Sequence, residues 1–318
     1  MNQRNQTIDL AKGMAIILMV VGHCYSQETS ILRLIYAFHM PFFFIISGML
    51  YADKWNERID FHFGRTCRRL MIPYAVFDTL YCVVITILAR PDNVIGTVFR
   101  NCIYQVISLR GATATWFLPA QLMTLCLFVF IAKRGKKHAH IVIFFALLAT
   151  ALLVPLPDIM RPLRRSMIGV GFFAVGFYGK AFFVRKADAF VLACAAAVYY
   201  LLVQRNGMVT LIGLKFSNPA LYVVNSLLGS YLLYQLSMLF PWKRLAEGIS
   251  CLGRNSVVVL CTHMFAVEII RLFDYKLLGD ALKKLGIFEG FIFGGAVLML
   301  MFPVIAFCNR YCFKLFGK

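Results

Sequence analysis

Charge is scarce in this sequence, and acidic charge is scarcer still. Only 15% of its 318 residues are Asp, Glu, Lys or Arg, and 14 acidic residues face 33 basic ones. Soluble domains carry about 25% charged residues, so a water-exposed globule is excluded. The ten cysteines form no CxxC pair and no metal-ligand spacing. Cys82, Cys126, Cys194, Cys261 and Cys308 lie in or beside apolar runs, where cysteine behaves as a small hydrophobe. A disulfide framework is therefore not expected, and neither is a metal. No stretch alternates apolar and polar with period two, which excludes a membrane barrel. The basic N-terminal stretch and the apolar run from Leu10 are not followed by a small-residue cleavage pattern. They read as a retained first helix rather than a signal peptide. Internal repeats and low-complexity linkers are also missing, and a transporter built from inverted repeats often shows the former.

What is present is apolar length. Hydrophobic residues make up 61% of the chain, collected in runs such as Ala139–Val154, Phe182–Val203 and Ile287–Cys308. About 20 apolar residues span a bilayer as a helix, and only helices or closed barrels satisfy their backbone there. Ten spans follow, over 10–26, 35–52, 70–89, 116–132, 139–154, 166–183, 187–203, 219–240, 255–272 and 285–308. The expected fold is all-α, a polytopic membrane helix bundle in which residues 1–318 form a single domain with no separate soluble part. With the N-terminus inside, the segments left on that side hold most of the Lys and Arg, as the positive-inside rule requires. The expectation is thus N-in and C-in, although Arg161, Arg164 and Arg165 crowd one outer loop, as membrane anchors or as a greeting for an anionic glycan. Short basic clusters between apolar runs do not make the continuous face a nucleic acid would need. Val94–Leu109 is amphipathic and either lies on the surface or dips back in. Gly169, Gly171, Gly176 and Gly179 suit close helix packing.

Polar side chains at membrane depth are costly and call for a reason. Lys12 and His23 are separated by three helical turns within about 20°, so they share a face about 16 Å apart along the axis. Asp9 lies one turn before Lys12, close enough to pair with it. Lys12 reads either as a snorkelling anchor or as part of a site, and His23 as an interhelical tie or a reactive group. His39 enters the second helix near the depth of His23, which places two imidazoles at one level on adjacent helices. Ser47 and Gly48 follow deeper, where packing alone would explain them. Arg65, Arg68 and Arg69 share a helical face at the inner surface, as anchors or as bidentate phosphate ligands. Trp116 opens the fourth helix as a belt residue or as something more. Gly253-Arg-Asn-Ser256 reads as a helix cap, with His263 following inside the bilayer and Glu268 on another face. Asp78 and Glu268 are carboxylates within helices.

These pieces resemble the acyltransferase 3 family. Its signature of Lys or Arg, ten residues, then His fits Lys12 through His23, and His39-Met-Pro-Phe-Phe-Phe-Ile-Ile-Ser-Gly48 resembles its second-helix motif. Arg68-Arg-Leu-Met-Ile-Pro73 resembles its next block. Trp116-Phe-Leu-Pro119 and Gly253-Arg-Asn-Ser256 through His263 are similar to the branch labelled fucose 4-O-acetylase-like. The resemblance implies an integral O-acyltransferase, multi-pass in a bacterial inner membrane, that moves an acyl group from cytoplasmic acyl-CoA to a hydroxyl of an extracytoplasmic glycan or lipid-linked sugar. The acyl group is expected to be acetyl, with acetyl-CoA as co-substrate. Lys12 stands where many members have Arg, and the extra extracytoplasmic domain of some members is not expected. His23 would be the general base, a role that needs a neutral imidazole, with Asp9 and Lys12 at the inner mouth. Arg65, Arg68 and Arg69 would hold the CoA phosphates, and Ser47 would flank the pantetheine path between the first two helices. His39, Trp116 and His263 would meet the acceptor. The competing reading is a proton-coupled secondary transporter using intramembrane His and carboxylates.

Overall fold

The computed structural model describes residues 6–56, 62–89, 91–134 and 137–317. Arg4, Arg58, Arg90, Lys136 and Lys318, which contribute to the charge bias, lie outside the described residues. Among the described residues every regular element is a helix, apart from one isolated bridge between Thr210 and Lys215. In order come α1 (Gln6–Cys24), α2 (Ser30–Tyr36), α3 (His39–Asn56), α4 (Phe63–Ala89), α5 (Val94–Asn101), α6 (Phe117–Ala132) and α7 (Lys137–Leu153). After them come α8 (Arg161–Val184), α9 (Ala189–Asn206), α10 (Pro219–Leu239), α11 (Lys243–Arg254), α12 (Ser256–Phe273) and α13 (Glu289–Tyr311).

Among the described residues, eight helical segments are long and apolar enough to cross a membrane. The remaining two expected spans are helices as well: α7, with 17 residues, and α10, with 21. The second carries buried Asn225, Ser226, Ser230, Gln235 and Ser237, so its inward face is polar. Starts are written in the sequence. Thr29, Asp188 and Asn218 accept a backbone N–H from Leu32, Phe190 and Leu221 at 3.1, 2.8 and 3.0 Å, and Pro162 and Pro219 occupy first turns, where the missing N–H costs nothing. Large apolar side chains face outward on many helices: Met299 is 74% exposed, Phe190 75% and Leu201 65%. Water would oppose such a surface at about 25 cal/mol per Å²; lipid does not.

The interior is close-packed where backbones meet. A Cβ at Gly48 of α3 would sit 2.1 Å from the Phe173 carbonyl oxygen of α8, and one at Gly176 would sit 1.9 Å from the Ile45 carbonyl oxygen. Only glycine permits this crossing. Gly169 and Gly171 also face neighbours, whereas Gly179 has nothing within 4 Å.

Side-chain and backbone contacts fix the two ends of the bundle. At one end Gly253 packs on the Asp9 carbonyl, Asn309 donates to Asn255 at 3.1 Å and Gly317 rests on Arg69. At the other end Ser26 donates to Glu289 from both backbone (3.0 Å) and hydroxyl (2.9 Å), and Tyr25 donates to the Ile287 carbonyl at 2.8 Å. Both termini of the described chain therefore lie at the Arg69 end.

Three expectations are corrected. Residues 241–254 are not a plain loop: helix α11 fills most of them and packs along the first half of α1. The span over 35–52 is not one helix, because the chain breaks at Ala37 and Phe38 between α2 and α3. Asn255 does not cap α12 with its side chain; it donates back to the Cys251 carbonyl at 2.8 Å. The Val94–Leu109 stretch forms α5 and a wide-pitch turn over Cys102–Ile107, tied by the Tyr74 hydroxyl to the Gln105 and Val106 carbonyls at 2.8 and 3.0 Å.

Candidate active site

The break between α2 and α3 builds the site. A helix that stops leaves carbonyls without partners, and here neighbouring helices supply them. The Tyr199 hydroxyl of α9 donates to the Leu34 carbonyl at 2.5 Å, and the Ser226 hydroxyl of α10 donates to the Ala37 carbonyl at 2.8 Å. The fixed break sets Tyr36 and His39 facing the end of α1. Their rings are 4.9 Å apart by centroid, and Tyr36 lies edge-on to His23 at 6.2 Å. His263 comes in from α12, its ring 5.3 Å from that of His23. Tyr36 thus stands between the imidazoles of His23 and His39, and His263 joins the cluster through His23.

Their hydrogen bonds differ. His39 donates from Nδ1 to the Ile35 carbonyl at 2.9 Å, and His263 donates from Nδ1 to the Val259 carbonyl at 2.8 Å. Both rings are buried, and Nε2 of His263 has no partner. No hydrogen bond among the described residues holds the His23 ring. Its backbone carbonyl is held instead, by Arg271 of α12 at 3.0 Å. Arg271 also covers the Phe293 ring, 5.8 Å from its centroid. The charge pattern places Arg271 among the loop cations, yet it stands beside the cluster.

Arg271 forms one wall of a cleft of about 930 Å³ between α4, α12 and the start of α13. Tyr81, Glu268, Asp274 and Glu289 give it polar walls, and Ile87, Leu88, Ile269 and Leu272 give it an exposed apolar side. Several of its carboxylates are already engaged. Glu289 holds Ser26, Asp274 accepts from the Leu282 N–H at 3.2 Å, and Asp280 pairs with Lys283 at 2.9 Å. Among the described residues Glu268 meets a long contact from the Tyr81 hydroxyl, 3.4 Å. Among the described residues no three His, Cys, Asp or Glu side chains converge as a metal site would need.

The other end of the bundle carries a second cleft of about 670 Å³, lined by His62, Arg65, Arg68 and Lys314. Arg65, Arg68 and Arg69 are exposed, and the last turn of the chain brings Lys314 to them. Asp9 is buried and Lys12 half-buried at this end of α1, three turns from His23. Ser47 donates to the Phe43 carbonyl of its own helix at 2.7 Å.

Trp116 is 4% exposed and has no ring contact with the imidazoles among the described residues. The Arg165 guanidinium covers its ring at 4.8 Å. Arg165 itself is buried and donates to the Arg110 and Ile212 carbonyls at 2.7 and 2.5 Å. Arg164 donates to the Ala151 carbonyl at 2.6 Å, and Arg161 pairs with Asp158. These arginines, expected in a loop, instead form the first turns of α8, where they bind backbone and a neighbouring carboxylate. Asp78 is fully buried and accepts from the Ala112 N–H at 2.9 Å and from the Thr115 hydroxyl. A carboxylate so engaged is a poor proton relay, which removes one support of the transport reading.

Sequence reasoning missed Tyr36, Arg271 and the carbonyl holders Tyr199 and Ser226. Only Arg271 left a signal, an arginine inside an apolar run with no basic neighbour.

No curated protein and no solved structure matches the chain. A family model described as an acyltransferase domain matches residues 5–310. With the match running from just before α1 to the last turn of α13, this multi-pass membrane protein belongs to the acyltransferase 3 family and is an acyltransferase.

Proposed function

We propose that the protein transfers an acyl group, acetyl as the family expectation, from acyl-CoA on the cytoplasmic side to a sugar hydroxyl on the other side of the membrane. The acceptor is a glycan or a lipid-linked sugar, the branch is the fucose 4-O-acetylase-like one, and the bundle crosses ten times with both ends inside. Arg65 and Arg68, joined by Lys314, meet the CoA phosphates, for which clustered guanidinium groups are suited. The pantetheine arm runs along α1 and α3, past Lys12 and Ser47, towards His23. The acceptor sits in the cleft beside Arg271 and Glu268.

His23 takes the proton of the acceptor hydroxyl as its oxygen attacks the thioester carbonyl. The tetrahedral intermediate expels the CoA thiolate, which recovers the proton from the imidazolium. The C–O bond forms, the C–S bond breaks and the base is returned unchanged. A group in this role is worth about 10²–10⁴ in rate. The observation that carries the reading is the pair of clefts at opposite ends of one bundle, one basic and one joined to the imidazole cluster through Arg271. The test uses purified protein in nanodiscs with radiolabelled acetyl-CoA, measuring binding and slow thioester hydrolysis. Wild type and H23A should both bind, and only wild type should turn over. Full turnover by a folded H23A, or no binding by either, overturns the reading.

A further inference from the structure

We propose that His263 is a positioning residue for His23. Its Nε2 lone pair accepts a hydrogen bond from the His23 ring and so fixes which His23 nitrogen is bare towards the acceptor hydroxyl. The inference rests on the reading of His23 as the base and adds a residue to it.

The geometry starts from a locked tautomer. A carbonyl can only accept, so the 2.8 Å contact with Val259 puts the His263 proton on Nδ1. In the neutral ring Nε2 is then an acceptor with no hydrogen of its own. The ring has no exposed surface, and Nε2 has no partner. A buried polar atom without a partner calls for an explanation.

Three neighbouring donors have other partners. Thr262 donates to the Val258 carbonyl at 2.8 Å, His39 to Ile35 at 2.9 Å, and Arg271 to the backbone of His23 at 3.0 Å. The nearest ring is that of His23, 5.3 Å away by centroid and tilted by 44°; the two are not hydrogen-bonded as they stand, and a turn of the untethered His23 imidazole about its own side-chain bond would bring a ring N–H to that lone pair. That ring is the one imidazole of the three with no hydrogen bond fixing it among the described residues.

The pairing gives each nitrogen of His23 a task. The one facing His263 carries the proton, and the opposite one is bare. This is the work of the third member of a catalytic triad, which orients the base and selects its tautomer. Here a neutral imidazole, itself fixed by a backbone carbonyl, does it without bringing a second charge into the bilayer.

Glutamine and asparagine separate the two ends of the imidazole. H263Q sets an amide oxygen near the old Nε2, whereas H263N reaches only as far as the old Nδ1 and H263L offers neither. The assay is acetyl-CoA hydrolysis in nanodiscs, with size-exclusion profiles and acetyl-CoA Kd as controls. H263N and H263L should lower kcat about 100-fold, with KM for acetyl-CoA within about twofold, and H263Q should recover to within about tenfold of wild type. Wild-type kcat in H263N and H263L overturns the proposal, as does H263Q falling as low as H263L. If H23A also turns over, the reading of His23 fails; if H23A is dead while H263N and H263L match wild type, only the role of His263 falls. Should the variants not fold, ¹⁵N-histidine solid-state NMR on the wild type decides. An Nδ1-protonated His263 with a hydrogen-bonded Nε2 supports the proposal, and an Nε2-protonated ring refutes it.

Discussion

Replacing Gly176 with Ala should loosen the bundle, while the same change at Gly179, three residues further along α8, should not. A Cβ at Gly176 would lie 1.9 Å from the Ile45 carbonyl oxygen and 2.7 Å from its carbonyl carbon. Ordinary contact is about 3.5 Å, and backbone cannot rotate aside as a side chain can. Helices α3 and α8 must then part by more than about 1 Å to restore that contact, opening the layer around Phe44, Ile45, Phe172 and Phe173. Overpacking costs about 1–3 kcal/mol, and a clash with backbone belongs at the upper end. At Gly179 nothing lies within 4 Å, so the change brings only the helix preference of Ala over Gly, up to about 1 kcal/mol of stabilisation. The two variants should differ by about 3–4 kcal/mol. Buried Cys24, Cys82, Cys261 and Cys308 supply the assay, because a thiol-reactive fluorophore in nanodiscs reports their exposure on heating. G176A should melt below wild type and G179A at or slightly above it. Equal midpoints would refute the glycine crossing.

Three other outcomes are expected. D78A should lower the same midpoint, since the Ala112 N–H and the Thr115 hydroxyl lose their acceptor at about 1–3 kcal/mol each, while the protein that survives still turns over acetyl-CoA. R65A combined with R68A should raise the KM for acetyl-CoA about tenfold and weaken its dependence on salt, leaving kcat nearly unchanged; titration of ionic strength checks this. K180A should shift the midpoint by less than about 1 kcal/mol, because the Asp53 it pairs with is 43% exposed.

The helices were legible because lipid demands long apolar runs, and each expected span falls on helix, the one over 35–52 on the two pieces α2 and α3. Helix α11 escaped because Lys243, Arg244, Glu247 and Arg254 make it polar on average. Its Leu245, Ile249 and Leu252 spacing was the available signal. The matching depth of His23 and His39 followed from counting residues along two helices. His263 reaches the same cluster through the tilt and packing of α12, which counting does not supply. The break at Ala37 had a local signal inside its apolar run, because Pro41, four residues on, has no N–H for the Ala37 carbonyl; what counting could not supply were the distant hydroxyls of Tyr199 and Ser226 that hold the freed carbonyls. Trp116 illustrates the reverse case: an aromatic at a helix start suggests a surface, yet Arg165 arrives from α8 to cover it.

The cleft beside Arg271 is open along its flank, where Ile87, Leu88, Ile269 and Leu272 are exposed. For any acceptor anchored by a hydrocarbon tail, that flank turns encounter into a search within a plane rather than through a volume. Such a molecule keeps its tail solvated by lipid while its head exchanges water for protein. Arrival would then depend on the fluidity and thickness of the bilayer, and turnover would respond to lipid composition before it responded to the viscosity of the medium outside.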